Sequence, residues 1–317
     1  MTNSYSPEGY LFGTRENREY ISSRAGLERA KNEGRIVEAT ALLCDSRMRL
    51  HVDLYGTVGI IDKCEAVYTP DGSEVKDIAV ITRVGKPVCF KVMGFTKENG
   101  KDVAILSRRE AQKECLSMYL SDLTPGDVVP SRVTHLDSFG AFVDIGCGIV
   151  SLLSIDSISV SRNSHPSDRL SVGDMIFTVI KSIDYDTGRV FVSMRELLGT
   201  WLENAADFEV GQTVAGIVRS VESYGVFVEL TPNLAGLAEI REGTSDADIA
   251  RVGEYAAVYI KSILPDKMKI KLVLIDAYGG PAPAQKIKYY VDCDTVSHID
   301  RWRYSPSGAA KVIETVF

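Results

Sequence analysis

The sequence has no paired cysteines. Its six (Cys44, Cys64, Cys89, Cys115, Cys147, Cys293) are scattered singly with no CxxC, which argues against a zinc ribbon or a disulfide framework and for a reducing, cytoplasmic setting. No window holds the ~18 uninterrupted apolar residues of a membrane helix. The opening stretch MTNSYSPEGYLFGTRENREY lacks a basic region followed by an apolar one, so no secretory signal is expected. Positive charge is also short. A net charge of −7 is unsuited to gripping duplex phosphate through a basic field. No GxSxG, P-loop or HExxH is present, so no cofactor and no enzymatic activity are expected. Asp292, Cys293, Asp294 and His298 fit no zinc spacing and read as a small polar hairpin.

What the sequence does have is repetition. DSFGAFVDIG, from Asp137, is answered by SYGVFVEL from Ser223: Gly140, Phe142 and Val143 recur 85 residues on as Gly225, Phe227 and Val228, and Phe139 recurs as Tyr224. Gly126 in PGDVV recurs as Gly211 in VGQTV at the same offset, whereas VGDMIFTVIKSID and VGEYAAVYIKSIL are 80 apart. The later copy has lost five residues from a loop, where such changes are tolerated. A weaker first copy shows in VGKPVCFKV and LSRREA, with RLHVDLYGTVGII in place of the aromatic strand.

Each unit is a series of short Val-, Ile- and aromatic-rich runs parted by Gly, Pro and Asp turns, as in TVAGIVRSVES, YGVFVEL, AGLAEI, YAAVYIKSIL and KMKIKLVLI. Five short strands in a unit of this length read as a small closed barrel. Between units the period shifts to that of helices: EAQKECLSMYLSDL and ELLGTWLENAADF read as linkers, and SSRAGLERAKNEG as a helix stopped by Gly34. The expected organisation is an N-terminal arm and helix over 1–33, repeats at 34–109, 126–195 and 211–276, linker helices at 110–125 and 196–210, and a β-rich extension over 277–317. GGPAPA reads as a linker into that extension, with KIKYYVDCD, HIDRWRY and KVIETVF as three short strands.

PGDVV…FGAFVDIG…HPSDRLSVGD…VIKSIDYDTGRVFVSMRE resembles the OB-fold RNA-binding repeat of the bacterial small-subunit ribosomal protein S-one family. The resemblance covers about three quarters of the chain, strongest in the central repeat, good in the third and weakest in the first. It implies a mainly β fold of three tandem five-stranded OB barrels joined by short helices. It also implies RNA lying across the barrel face, with two aromatics stacking on bases and a His, an Asp and an Arg touching base edges and phosphate.

Carried over residue by residue, those positions are Phe139, Phe142, Ser154, Asp184 and Arg189 in the central repeat. Ser154 stands where the family has a histidine. In the third repeat they are Tyr224, Phe227, Glu239, Leu264 and Lys269, and Glu239 would repel phosphate. The first repeat has Met48 and His51 for the rings, flanked by Arg47 and Arg49. Lys181 and Lys261, at equivalent places, are either phosphate contacts or solvated edge-strand charges. The RNA ranking expected is central, third, first.

Pattern alone leaves the two rings undecided. Strand alternation sends residues 139 and 142 to opposite faces, unless a bulge at Gly140 returns both to one face. Arg301, Trp302 and Arg303 either contact RNA or pack the tail on the third barrel, the latter favoured for Trp302. With Arg47, Arg49 and His51 they form a secondary contact set for RNA or the ribosome. Arg108 and Arg109 read as caps of the following helix, and His165 as a turn-fixing residue before Pro166. The functional expectation is a monomeric, non-catalytic binder of single-stranded RNA acting in translation near the small ribosomal subunit. The alternative is a regulator of RNA stability or transcription, or an accessory of RNA-processing enzymes.

Overall fold

The computed structural model describes residues 5–70, 72–184, 188–239, 250–281 and 287–317. Three closed barrels account for most of them, each with the same cyclic strand order. The first comprises β1 (Val37–Cys44), β2 (Leu50–Asp53), β3 (Val58–Ile61), β4 (Pro87–Glu98) and β5 (Lys101–Ser107). The second comprises β6 (Val128–Asp137), β7 (Gly140–Asp144), β8 (Val150–Ser154), β9 (Met175–Asp184) and β10 (Arg189–Ser193). The third comprises β11 (Thr213–Glu222), β12 (Gly225–Thr231), β13 (Leu234–Glu239), β14 (Glu254–Leu264) and β15 (Lys269–Pro281). In every barrel the strands run one-two-three-five-four, with a single parallel pair between the third and fifth. Closing the sheet removes its edges and encloses the alternate residues, such as Val226 and Val228 of β12. This is the mainly β, three-barrel OB architecture expected from the repeats.

The chain falls into two compact units: residues 1–123 with 130–132 and 144–150, and residues 124–129, 133–143 and 151–317. The first unit buries an apolar core around Leu27, Leu50, Ile61, Phe90 and Leu106. It also buries charge. Arg108 holds both oxygens of Glu8 at 2.6 and 3.0 Å, and the Glu8 backbone N–H donates to Asp144 at 2.7 Å. Glu38 Oε2 accepts the backbone N–H groups of Gly9, Leu11 and Phe12, so the N-terminal arm is pinned by its amides. Arg108 is therefore no cap. Ser107 caps helix Arg108–Cys115 by accepting from the Glu110 N–H, and Arg108 turns inward to pair with Glu8.

The linkers depart from the sequence pattern in detail. Helix Arg108–Cys115 runs on as a π turn, Leu116–Leu120. At the second junction a 3-10 turn, Arg195–Leu198, is broken by Gly199 at φ 82°, and helix Trp201–Ala205 restarts behind a Thr200–Glu203 capping box. Positive φ is what Gly199 permits and other residues resist.

In the second unit the C-terminal segment binds both barrels. Residues 287–294 form no strand, contrary to the reading of KIKYYVDCD. Tyr289 is anchored by its hydroxyl, which accepts the Phe177 N–H, and Tyr290 by its backbone N–H, which donates to the Leu197 carbonyl. Strand β15 runs through Gly279 and Gly280 to Pro281, so the GGPAPA stretch begins as strand, and residues 282–284 lie outside the described residues. Beyond them, β16 (Arg301–Arg303) pairs with β17 (Glu314–Val316). Trp302 and Tyr304 join the core of the third barrel, and the Tyr304 hydroxyl donates to the Asn233 carbonyl. Arg169, before β9, grips Glu229 of β12 through two bonds of 2.7 and 2.6 Å, and Arg219 shares the same carboxylate. His165 caps the turn Pro166–Asp168 through Nδ1, as the sequence indicated.

Candidate nucleic-acid interface

Ser138 and Phe139 form the two-residue turn between β6 and β7. Phe139 is thus not on a strand, and its Cβ direction follows the turn rather than the two-residue alternation. Along β7, Ala141 and Val143 are buried and Phe142 points away from the barrel interior. Both rings meet outside the barrel, edge to face, with centroids 5.9 Å apart. In the third barrel no bulge falls at Gly225, the counterpart of Gly140. The register there runs unbroken from Glu222–Gly225 to Ser220–Phe227, and the only slip falls on β11 between Val218 and Ser220. Tyr224 and Phe227 reproduce the pair at 6.2 Å and 90°.

The glycine has another purpose. A Cβ on Gly140 would stand 2.5 Å from the Leu153 carbonyl oxygen, and one on Gly225 would stand 2.7 Å from that of Ala238. Only glycine lets this strand start press against the next. Phe139 keeps 51% of its surface exposed and Tyr224 61%. A large exposed ring costs solvation that burial would recover, by about 25 cal/mol per Å². Two such exposed rings recur at equivalent turns of the second and third barrels.

A third ring extends the central platform. His135, on β6, stacks on Phe142 at 6.0 Å with planes 27° apart and is exposed. Ser154 carries no ring at the family's histidine position, and His135 brings an imidazole to the same face from another strand. The sequence contained the signal: with a two-residue turn at 138–139, counting back puts residue 135 opposite residue 142. A bulge at Gly140 would have shifted that register and hidden the pairing.

Taken as rows across the barrel, the residues in register with the ring positions diverge. The third barrel reads Ser220, Phe227, Leu237, Lys271, and the first reads Leu43, His51, Ile60, Ile105. In the second, Phe191 lies in register with Leu152 at the far end of the row.

The charged residues are arranged unevenly. Lys181 donates to the Ser157 hydroxyl at 3.1 Å, and Ser157 in turn meets Ser154 at 2.8 Å, so Ser154 and Lys181 belong to one polar chain beside the rings. The Ile155 N–H donates to the Phe139 carbonyl and ties the turn to that chain. Arg189 is exposed in register with Asp184. Lys261 and Lys269 are exposed on β14 and β15, and Lys269 lies in register with Leu264. Glu239 is partly offset by Lys271 at 3.6 Å.

The first barrel's residues are committed internally. Asp45 takes Arg49 Nε at 2.9 Å and His51 Nε2 at 3.0 Å. Burial works against the Asp45 carboxylate, but His51, Arg49 and the turn amides outweigh it and hold its pKa well below the ordinary range. Met48 sits in the turn at φ 56°. Arg47 remains exposed. In the tail, Trp302 is only 6% exposed and cannot stack on a base, because its ring completes the third barrel's core. Arg301 pairs with Glu314 at 2.6 Å, and Arg303 stays exposed.

Residues 122–195, the second barrel with its approach, match the model of the S1 RNA binding domain. The chain is similar to small ribosomal subunit protein bS1 of Rhizobium meliloti, 29% identical over 73% of this chain and 41% of that protein. It is similar to bS1 of Staphylococcus aureus at 33% identity over 53% of this chain and 43% of that protein. The chain thus spans about two fifths of the length of these curated relatives. A crystal structure of a multidomain protein with nucleic acid binding domains from Streptococcus pneumoniae is 16% identical over 76% of this chain and 73% of that one, at a TM-score of 0.24, where superposition carries no weight.

Proposed function

We propose, for a chain whose central barrel is an S1 RNA binding domain and whose relatives include bS1 proteins, that it binds single-stranded RNA without chemical turnover. The observation that carries this reading is the ring pair built twice on the same turn, Phe139 with Phe142 and Tyr224 with Phe227. An unpaired base stacked on an aromatic face contributes about 1–3 kcal/mol and demands no particular sequence. Duplex bases are stacked on each other and offer no face, so the platform selects single strands.

Charge plays a local part. Lys181 and Arg189 are exposed on strands of the second barrel, and Lys261 and Lys269 on strands of the third. They supply phosphate contacts within a protein whose net charge is −7. The third ring from His135 makes the second repeat the strongest binder, followed by the third. The first, with aliphatic residues along the same row, contributes least to stacking.

In this reading the protein acts as a monomer in the cytoplasm, in translation, holding mRNA unfolded near the small ribosomal subunit. No helix among the described residues is long and apolar enough to cross a membrane. The test is fluorescence polarisation with a labelled single-stranded RNA and the matching duplex, paired with ribosome fractionation of cells. Preference for the single strand supports the binding reading. Recovery exclusively away from the small subunit would overturn the placement in translation while leaving RNA binding intact.

A further inference from the structure

The first repeat lacks the ring pair, yet the turn that carries it in the other repeats has another feature here. A pocket of about 760 Å³ is lined by Arg47 and Arg49 of the β1–β2 turn, by the segment that follows β3, and by Arg109 just beyond β5. Its volume falls within the ~300–1,000 Å³ typical of small-molecule sites and exceeds what a bare inorganic anion would fill. Four cations, the three arginines and Lys63, line it against two carboxylates, Asp62 and Glu74.

Those cations are not equivalent. Lys63 is taken by Glu74 at 3.1 Å and Asp77 at 2.8 Å. Arg49 is taken by Asp45 and Glu98, each at 2.9 Å. Each of these two cations faces two carboxylates, so they shape the walls and offer no surplus positive charge. Arg47 makes no ion pair among the described residues. Arg109 has only loose contacts, 3.4 Å to Glu65 and 3.9 Å to Glu110. Two guanidinium forks with unspent donors on one concave surface suit the three terminal oxygens of a phosphate monoester. Tyr68 lines the same pocket, and its backbone N–H is held by Gln112 Oε1 at 2.9 Å. Its half-buried ring stacks on no other aromatic among the described residues.

We propose that this pocket binds a nucleoside monophosphate group, with Arg47 and Arg109 on the phosphate and Tyr68 on the base. The same chemistry arrives in two forms, a free nucleotide or the 5′-phosphorylated end of an RNA strand. The site is separate from the stacking platforms and does not depend on their binding RNA.

Cys64 supplies a local reporter. It is the one exposed cysteine, and it lines the pocket. The full-length protein is alkylated with N-ethylmaleimide, and the modified peptide is followed by mass spectrometry with uridine 5′-monophosphate, uridine, or short RNAs bearing a 5′-phosphate or a 5′-hydroxyl. Uridine 5′-monophosphate is expected to slow alkylation of Cys64, and uridine, lacking the charge-assisted contacts, to require about tenfold more. Arg47→Ala, on an exposed side chain, and Arg109→Ala, on a half-buried one held only by loose ion pairs, should each weaken protection about tenfold, and Arg109→Lys should restore only part of it. Protection by the 5′-phosphorylated RNA and not its 5′-hydroxyl twin assigns the site to RNA ends; protection by the free nucleotide alone assigns it to the nucleotide pool. Unchanged alkylation with both ligands at about 10 mM, far above any specific affinity, or protection indifferent to both arginine variants, overturns the proposal. Phe139→Ala should leave Cys64 protection by the nucleotide untouched, so failure of the stacking reading and failure of this one are distinguishable.

Discussion

His135 of β6 stacks on Phe142 of β7, ring over ring at 6.0 Å. The contact joins a strand the repeat pattern did not single out to the residue it emphasised most. Replacing His135 with Ala should weaken binding of single-stranded RNA by about 1 kcal/mol, near the lower end of a stacking contribution, and His135→Tyr should restore it. Fluorescence polarisation with a labelled oligonucleotide reads both. Equal affinities for the three proteins would remove His135 from the platform.

Phe139→Ala and Phe142→Ala should each cost about 1–3 kcal/mol of RNA affinity, and Tyr224→Ala less than Phe139→Ala. Phe139 is exposed, so its variant should melt like the parent protein. A barrel that acts only through protein contacts would lose neither its stability nor its RNA affinity, and that pattern would refute the stacking assignment.

Glu229 is fully buried between Arg169 and Arg219. Truncating a buried ion-pair partner strands the remaining charge, and Glu229→Ala should lower stability by about 3–5 kcal/mol. Urea denaturation of the full chain measures it. A loss below about 1 kcal/mol would show that water reaches the guanidinium groups and that the network is not structural.

Glu38 should make the first unit less stable in alkali. Burial first, then the neighbouring Glu8, push its pKa up to about 8 against three amide hydrogen bonds, and Asp144 is raised to about 7 by burial and Glu8. A carboxyl with a raised folded pKa holds a proton that the unfolded chain releases near 4.5, so stability declines as pH climbs from there toward 8. Glu8 adds no slope in that range, because Arg108 overcomes its burial and keeps it below the usual value. Glu38→Gln keeps an oxygen for the three amides and cannot ionise, so its urea midpoint should vary less between pH 5 and 9. A variant with the parent's slope would trace the dependence elsewhere.

His298 should release the C-terminal segment as pH rises. Its hydrogen bond to Asp127 at 2.6 Å, with Asp300 adding to it, raises the imidazole pKa above 6.5. The added stability is complete below 6.5 and disappears as pH passes the folded value. Proteolysis within residues 287–317 should therefore quicken between pH 6 and 8.5, modestly for so exposed a pair. His298→Gln should abolish the difference, and identical cleavage rates at both ends of that range would end the idea.

Much of the interface is legible in the sequence, because repetition is a property of the chain itself. Gly140 and Gly225, Phe142 and Phe227, and Lys181 and Lys261 stand at constant or nearly constant spacings, and short alternating runs between turn residues specify small barrels. Other features depend on distance through space. Whether Phe139 shares a face with Phe142 turned on its place in a two-residue turn, not on strand alternation. Trp302 looks the same in sequence whether it stacks on RNA or fills a core, and only packing against the third barrel decided for the core. Arg108 and Glu8 are 100 residues apart and meet only once the arm folds back. Local periodicity determined the strands and their repetition. Burial and long-range pairing decided which aromatic and charged side chains are left to act, because solvation and screening depend on what folds around a group rather than on what stands beside it in the chain.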